Sequence, residues 1–177
     1  MRLNNSYQDN ATELVNKIIK DINFQPVWFV SIHYLQNRSV YHNSNHDKFR
    51  VKNECDSIES TEKNFKHFKN LLLCKTHKVS SANRIKTRQF RILAFHEKGK
   101  ANYSYHSHLL MEDIPNHSTQ EDVNSLLRLI QHKHKNMENW VDGVDVRAKS
   151  TDGWIPYVCK SASQNYLPLD IINSDLK

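Results

Sequence analysis

Glycine is scarce in this chain: Gly99, Gly143 and Gly153 are the only three among 177 residues. A Walker A nucleotide site needs a glycine-rich loop that ends in Gly-Lys-Ser or Gly-Lys-Thr, and a Rossmann dinucleotide site needs three clustered glycines. Three isolated glycines can build neither loop. We therefore expect a fold without a P-loop and a protein that uses no nucleotide cofactor.

The cysteines indicate the redox compartment of the protein, and the charge balance indicates which classes of partner suit it. Cys55, Cys74 and Cys159 are odd in number, and no two have Cys-x-x-Cys spacing. This argues against a disulfide scaffold or a cysteine zinc finger and favours a reducing, cytoplasmic location. The formal net charge of +6 suits a polyanionic partner, but it also suits an ordinary basic protein. No apolar run approaches the roughly 18 residues of a membrane span, so no membrane partner is expected.

Hydrophobic periodicity predicts four helices and four strands, with one hairpin in the middle. The predicted order is helix 10–22, strand 27–34, helix 60–74, strands 88–97 and 103–112, a helix from 118, strand 144–148 and a last helix that contains Tyr166. This order predicts an α+β fold with a central antiparallel β-sheet flanked by helices, which cover one side of it. We expect a single domain over residues 1–177 with a short C-terminal tail from 167.

Two histidines in a predicted strand form the first candidate site. His106 and His108 are two residues apart, so both imidazoles project from one face and together can grip a divalent ion. A third ligand should come from the preceding strand, across the Gly99 turn, where Glu97 and His96 are the alternatives. Adjacent strand residues face opposite ways, so only one of these two can serve unless a bulge intervenes. Two imidazoles and a carboxylate leave coordination positions open, as in catalytic metal sites.

Tyr157 and Lys160 form the second candidate pair. At helical spacing the two side chains share a face, so a phenol lies beside an ammonium. A protonated phenol is a weak nucleophile, but a nearby cation and a metal ion that polarises the target would help it attack. Tyr-x-x-Lys is a common spacing that also fits a core residue and a solvated lysine. The pair is a candidate site because of its position in the chain, after the last predicted strand and downstream of the histidine pair.

In this order the features resemble the HUH endonuclease superfamily, and within it the rolling-circle replication initiators (Rep proteins) of small plasmids and phages. The hydrophobic strand at 27–34 resembles the first motif, Tyr-His-Ser-His-Leu-Leu at 105–110 the histidine motif, and Trp-Ile-Pro-Tyr-Val-Cys-Lys at 154–160 the Tyr-x-x-Lys motif. Ser107 departs from the bulky hydrophobe usual in the family. Ser161 stands where a second tyrosine would lie, so the chain resembles the single-tyrosine class. No helicase domain is expected.

The resemblance implies a ferredoxin-like fold of the HUH endonuclease type and an enzyme that nicks and rejoins single-stranded DNA at a replication origin. Tyr157 would form a 5′-phosphotyrosine link, and Lys160 would orient the phenolate or neutralise its charge. Mn²⁺ or Mg²⁺ would be held by His106, His108 and Glu97, which sits where related enzymes often place an acidic ligand. Single-stranded or hairpin origin DNA and a host helicase and polymerase would be the partners.

Basic and aromatic residues near these motifs are candidates for DNA contacts. They could follow phosphates or stack on unpaired bases: Lys98, Lys100, Tyr103, Arg147, Lys149 and Trp154. Surface lysines are usually solvated and aromatic side chains often fill a core, so each of these residues also has an ordinary structural interpretation.

Three other functions share parts of this pattern. A transposase or relaxase of the same superfamily would use the same site on a different DNA target. A non-catalytic nucleic-acid-binding α+β module would keep the histidines and Tyr157 for structural reasons, so Tyr157→Phe would leave it unaffected. A metal-dependent nuclease that activates water would cut DNA without becoming attached to it.

Overall fold

In the part of the chain that the structure describes, helices and strands follow one another in the predicted order. The computed structural model describes residues 5–33, 57–81, 90–98, 105–133, 143–148, 153–164 and 166–176. The elements are α1 Asn5–Asp21, β1 Trp28–His33, α2 Ile58–Thr76, β2 Ile92–Lys98, β3 Tyr105–Met111, α3 Gln120–Lys133, β4 Gly143–Ala148 and α4 Trp154–Val158. Among these described helices, none is long and apolar enough to cross a membrane.

The strands of the described ranges form one antiparallel sheet in the order β2-β3-β1-β4. β3 lies between β2 and β1, with Glu97 of β2 opposite His106, and Ser31 of β1 opposite His108. Residues directly opposite each other in an antiparallel pair share a face of the sheet, and residues two apart in a strand share it as well. The register therefore places these four residues on one face.

Helices cover both faces of the sheet. The first face packs against α2 and α3 through buried apolar side chains: Val30, Ile32, Ile92, Ala94, Leu109 and Met111 of the strands with Phe65, Phe68, Leu72, Val123, Leu127 and Ile130 of the helices. The second face packs against α1 and α4: Phe29, Leu93, Phe95 and Leu110 of the strands with Ala11, Val15 and Val158 of the helices. The predicted α+β class, with an antiparallel sheet flanked by helices, is confirmed.

The expectation that helices cover only one side of the sheet is wrong. Its physical reason lies in apolar residues that are adjacent rather than alternating, such as Leu109 and Leu110, both of which are fully buried. Continuous apolar runs are typical of strands with both faces covered, whereas a half-exposed strand alternates apolar and polar residues.

The segment from 167 to 176, predicted as a tail, runs along the outer edge of β2. Backbone hydrogen bonds of 2.8–2.9 Å join it to the strand: His96 N to Pro168 O, Asp170 N to Ala94 O and Asp175 N to Ile92 O. The buried carboxylate of Asp175 also accepts a 2.7 Å hydrogen bond from Nζ of Lys69 on α2. The segment supplies the partners that an edge strand otherwise lacks, so it is part of the fold.

The last helix is shorter than predicted. α4 ends at Val158, and Cys159 is its C-cap. Tyr166 lies outside the helix, and its hydroxyl donates a hydrogen bond to the backbone carbonyl of His96. The stretch from 160 to 165 contains one apolar residue, Ala162, which is too little to bury a continuing helical face.

Candidate metal and tyrosine site

Three potential metal ligands converge on the α1/α4 face of the sheet. Nε2 of His106 lies 3.3 Å from Oε2 of Glu97, and Nε2 of His108 lies 3.5 Å from the same oxygen. The ligand atoms all lie within 4.8 Å of one another, so the group could hold a metal ion. The hairpin produces this arrangement because it puts Glu97 directly opposite His106, while His108 follows two residues later on the same face.

His96, the alternative third ligand, lies on the opposite face. Its ring is 1% exposed and is already bonded at both nitrogens. Nδ1 lies 2.8 Å from Oγ of Ser107, and Nε2 lies 3.0 Å from Oδ2 of Asp170. The alternation of a strand thus assigns Glu97 to the ligand group and His96 to the contact between β2 and the C-terminal segment.

Unsatisfied polar atoms indicate that a cation fits this group. In the described part of the chain, Oε2 of Glu97 and Nε2 of His108 are buried without a hydrogen bond of good geometry, although the ammonium of Lys160 lies 3.1 Å from that oxygen. Buried polar atoms are nearly always satisfied, and the exceptions often mark an ion site. A divalent cation would satisfy both atoms, and a mixed imidazole and carboxylate set is a common ligand set for transition metals.

The protonation states also suit metal binding. Burial by itself would raise the pKa of Glu97, but the close contacts of its carboxylate with His106, His108 and Lys160 outweigh burial and hold the pKa far below its ordinary value. Burial lowers the pKa of His108, and the nearby charges of His106 and Lys160 lower it further, against the opposing effect of Glu97. At neutral pH the carboxylate is ionised and the His108 ring is neutral, as metal ligation requires.

Ser31 holds the ring of His108 from the neighbouring strand. Its Oγ lies 2.9 Å from Nδ1 of His108, and the two side chains are buried. No motif or spacing in the sequence pointed to Ser31. The available signal was a lone hydroxyl in the otherwise apolar run from Trp28 to Ile32.

Tyr157 lies against this group and remains accessible. Its ring centroid is 5.1 Å from that of His108 and 5.9 Å from that of Phe29, both in edge-on geometry. The side chain is 46% exposed, so a ligand in solvent can reach it. α4 positions the tyrosine through its buried side, where Val158 joins the core that includes Phe29.

Lys160 connects the phenol to the carboxylate. Nζ lies 3.1 Å from Oε2 of Glu97 and 3.8 Å from the centroid of the Tyr157 ring. Burial alone would lower the pKa of Lys160, but hydrogen bonding to Tyr157 and Glu97 raises it above its ordinary value. Lys160 lies in the turn after α4, and the helical backbone conformation of Cys159 keeps it one turn from Tyr157, as the spacing predicts.

Two of the residues expected to contact DNA have side chains in the described part of the chain, Trp154 and Lys98. Trp154 is partly buried, and its ring stacks on Phe29 with centroids 5.2 Å apart. Lys98 follows Glu97 directly, so it belongs to the opposite face, where Nζ lies 5.8 Å from the Tyr105 ring centroid. The backbone of Arg147 in β4 pairs with Phe29, but its side chain is outside the described part. Three further candidates lie outside the described residues: Lys100, Tyr103 and Lys149.

Comparison with known proteins does not identify a family. No protein-family model matches the chain, and no curated protein matches it.

Proposed function

We propose that the protein is a metal-dependent endonuclease that nicks and rejoins single-stranded DNA through Tyr157. The observation that carries this proposal is the exposed Tyr157 ring, 5.1 Å from the ring of His108, whose buried Nε2 faces Glu97. A phenol beside a group that could hold a cation supplies the two requirements of nucleophilic phosphoryl transfer, a nucleophile and a centre that withdraws charge from the phosphate.

The connectivity supports a ferredoxin-like fold of the HUH endonuclease type. β1, α2, β2, β3, α3 and β4 follow one another as in β-α-β-β-α-β folds, and α2 and α3 contribute to the same core on one face of the sheet. Together with the motif resemblance, this arrangement supports the more specific role of a rolling-circle replication initiator, which would act in the cytoplasm with a host helicase and polymerase.

In this reaction the residues of the site have separate roles. Glu97, His106 and His108 would hold Mn²⁺ or Mg²⁺, which when bound polarises the phosphate and stabilises its developing charge. Oη of Tyr157 forms a bond to phosphorus as its proton passes to solvent, and the bond from phosphorus to the 3′ oxygen breaks. The leaving oxygen takes up a proton and becomes a free 3′ hydroxyl. The 5′ phosphate stays on Tyr157.

Lys160 stabilises the phenolate by charge. Its raised pKa keeps it as an ammonium at neutral pH, so it is unsuited to accept the phenolic proton. Rejoining reverses the attack, with the 3′ hydroxyl displacing Tyr157 from the phosphate. The energy of the broken phosphodiester is retained in the phosphotyrosine, so rejoining needs no ATP, in agreement with a chain that has too few glycines for a P-loop.

The test is a covalent protein–DNA adduct. The protein is incubated with Mn²⁺ and a pool of single-stranded oligonucleotides, some labelled at the 5′ end and some at the 3′ end, and is then run on a denaturing gel. We expect the 3′ label to move with the protein and the 5′ label to move with a free fragment that a polymerase can extend. Tyr157→Phe should abolish the adduct, whereas Tyr7→Phe, which changes an exposed tyrosine of α1, should keep it.

Each other outcome contradicts the proposal in a recognisable way. An adduct that persists in Tyr157→Phe would place the nucleophile elsewhere. Cleavage without an adduct would indicate a nuclease that activates water. DNA binding without cleavage, unchanged in Tyr157→Phe, would indicate a non-catalytic module. A transposase or relaxase would form the adduct but would not support rolling-circle synthesis on a circular plasmid with purified helicase and polymerase.

A further inference from the structure

We infer that Ser31 is a positioning residue of the metal group, because its hydroxyl fixes the ring of His108 and can pair with that ring both with and without a bound cation. This inference rests on the metal dependence of the proposed function. It concerns a residue that lies in a different strand from the three ligands and contacts one of them.

Contacts on two sides restrict the His108 ring. Ser31 is directly opposite His108 in the pairing of β1 with β3, and Oγ lies 2.9 Å from Nδ1. The ring of Phe29 stacks on the imidazole with centroids 5.4 Å apart and an interplanar angle of 17°. With Nδ1 held by Ser31 and one ring face covered by Phe29, Nε2 faces Oε2 of Glu97 at 3.5 Å. A rotation of the ring would break the contact with Ser31.

A hydroxyl suits this position because the neutral ring carries its proton on either nitrogen. In the tautomer with the proton on Nε2, which lies 3.5 Å from Oε2 of Glu97, Nδ1 accepts a hydrogen bond from the Ser31 hydroxyl, as suits the state without a cation. A cation on Nε2 requires that nitrogen to be unprotonated, so the proton is carried by Nδ1, which then donates to Oγ. The imidazole stays neutral in both states. A serine hydroxyl can either donate or accept a hydrogen bond, so its contact with Nδ1 is kept when the ring proton moves from one nitrogen to the other. The ring therefore does not need to turn.

A group that only accepts or only donates would not serve both states equally. A carbonyl oxygen only accepts and would hold the proton on Nδ1 permanently, whereas a backbone N–H only donates and would favour the state without a cation. Metal-ligating histidines generally need a partner on the second nitrogen, and loss of that partner commonly weakens metal affinity about 10–100-fold. Ser31 is the described residue that meets this need for His108.

The test compares Ser31→Thr with Ser31→Val. Both side chains have the same branched shape and suit a strand, but only threonine keeps the hydroxyl. Mn²⁺ affinity is measured by titration with detection of free Mn²⁺ by electron paramagnetic resonance, and urea unfolding monitors the fold. We expect Ser31→Val to weaken Mn²⁺ binding about 10–100-fold and Ser31→Thr to stay within about threefold of the wild type. With Zn²⁺ as a diamagnetic probe, ring ¹⁵N shifts should show the proton of His108 on Nδ1.

The outcomes separate this inference from the proposed function. A folded Ser31→Val protein that binds Mn²⁺ as tightly as Ser31→Thr, even with reduced stability, would overturn the positioning role and leave a purely structural serine. A wild-type protein that binds no Mn²⁺ would refute the metal site itself, and the inference with it. If Ser31→Val does not fold, the smaller Ser31→Ala makes the same comparison, with the same affinity loss expected and unchanged affinity counting against the role.

Discussion

Nζ of Lys160 lies 3.1 Å from Oε2 of Glu97, the same oxygen that faces the two imidazole nitrogens. Lys160 therefore balances the charge of a buried carboxylate at a site that could also hold a cation. Its ammonium lies 3.8 Å from the centroid of the Tyr157 ring as well. A single side chain thus contacts both the candidate ligand Glu97 and the proposed nucleophile Tyr157, and we expect its removal to affect both.

Removal of the lysine charge should slow the covalent step. In Lys160→Gln the developing phenolate loses its cation, and we expect the rate of adduct formation to fall on the order of a hundredfold. Lys160→Arg keeps the charge and should retain more of the rate. The measurement is single-turnover nicking at saturating DNA and Mn²⁺, with Lys66→Gln on α2 as the control. Equal rates for Lys160→Gln and the wild type would exclude a role for this charge in the reaction.

Mn²⁺ should stabilise the folded protein through Glu97. A ligand that binds only the folded state at a hundred times its Kd raises the free energy of unfolding by about 2.7 kcal/mol. We expect thermal unfolding to shift upward with Mn²⁺ and to return to its starting point with a chelator. Glu97→Gln should remove most of the shift, whereas His67→Gln on α2 should keep it. The same shift in Glu97→Gln would mean that Mn²⁺ binds at a different place.

The buried pair of Lys69 and Asp175 should dominate the attachment of the C-terminal segment. Both side chains are less than a tenth exposed, and loss of one partner leaves an uncompensated buried charge. We expect Lys69→Met to lower the free energy of unfolding by about 3–5 kcal/mol in urea titration.

A matched change on the same helix provides the control for this ion pair. Lys63 pairs with Glu59 at 2.9 Å, but about three quarters of each side chain is exposed. Lys63→Met should therefore change the free energy of unfolding by no more than about 0.5 kcal/mol. Similar losses in the two variants would show that burial does not set the energy of these pairs.

Acid should weaken the contact between Glu112 and Arg91. Burial alone would raise the pKa of Glu112, but hydrogen bonds from Arg91 and from the backbone of Gln25 outweigh it and lower the pKa. A carboxyl with a lower pKa in the folded chain stabilises the fold above its unfolded pKa of about 4.5, and that stabilisation is lost as the pH falls toward the folded pKa.

The expected result is a pH-dependent gap between the wild type and Glu112→Gln. At neutral pH we expect the variant to be less stable by about 1.5–3 kcal/mol, and the gap should narrow as the pH falls below about 4.5. The measurement is urea unfolding at a series of pH values. The control is Asp113→Asn, which changes the exposed neighbouring residue. Its free energy of unfolding should follow that of the wild type across the pH series. A gap that stays constant in acid would contradict the assignment.

The ligand group could be predicted from the sequence because its geometry is local. The two-residue period of a strand puts His106 and His108 on one face, and a single hairpin brings Glu97 opposite His106. Ser31 could not be found in this way. Its contact with His108 spans 77 residues and depends on β1 pairing next to β3, which no local pattern specifies.

The positions of α4 and of the C-terminal segment also could not be predicted from the sequence pattern. Lys160 reaches Glu97 because α4 docks through side chains that pack near Phe29, a tertiary event. Residues 167–176 carry no strand or helix period. They are held by Asp170 and Asp175, whose partners His96 and Lys69 lie on other elements. Adjacent apolar residues in the strands, such as Leu109 and Leu110, already indicated a sheet covered on both faces. The prediction of helices on one side misinterpreted this pattern.

The contacts between β2 and residues 168–175 have a consequence for biosynthesis. A ribosome releases the strand that carries Glu97 well before the segment that pairs with its outer side. Until translation has passed Asp175, the N–H and C=O groups along that side lack their final partners and are open to a strand from another chain. The outer side of β2 is therefore completed only after this last segment has emerged, and until then it can pair with a strand of another chain.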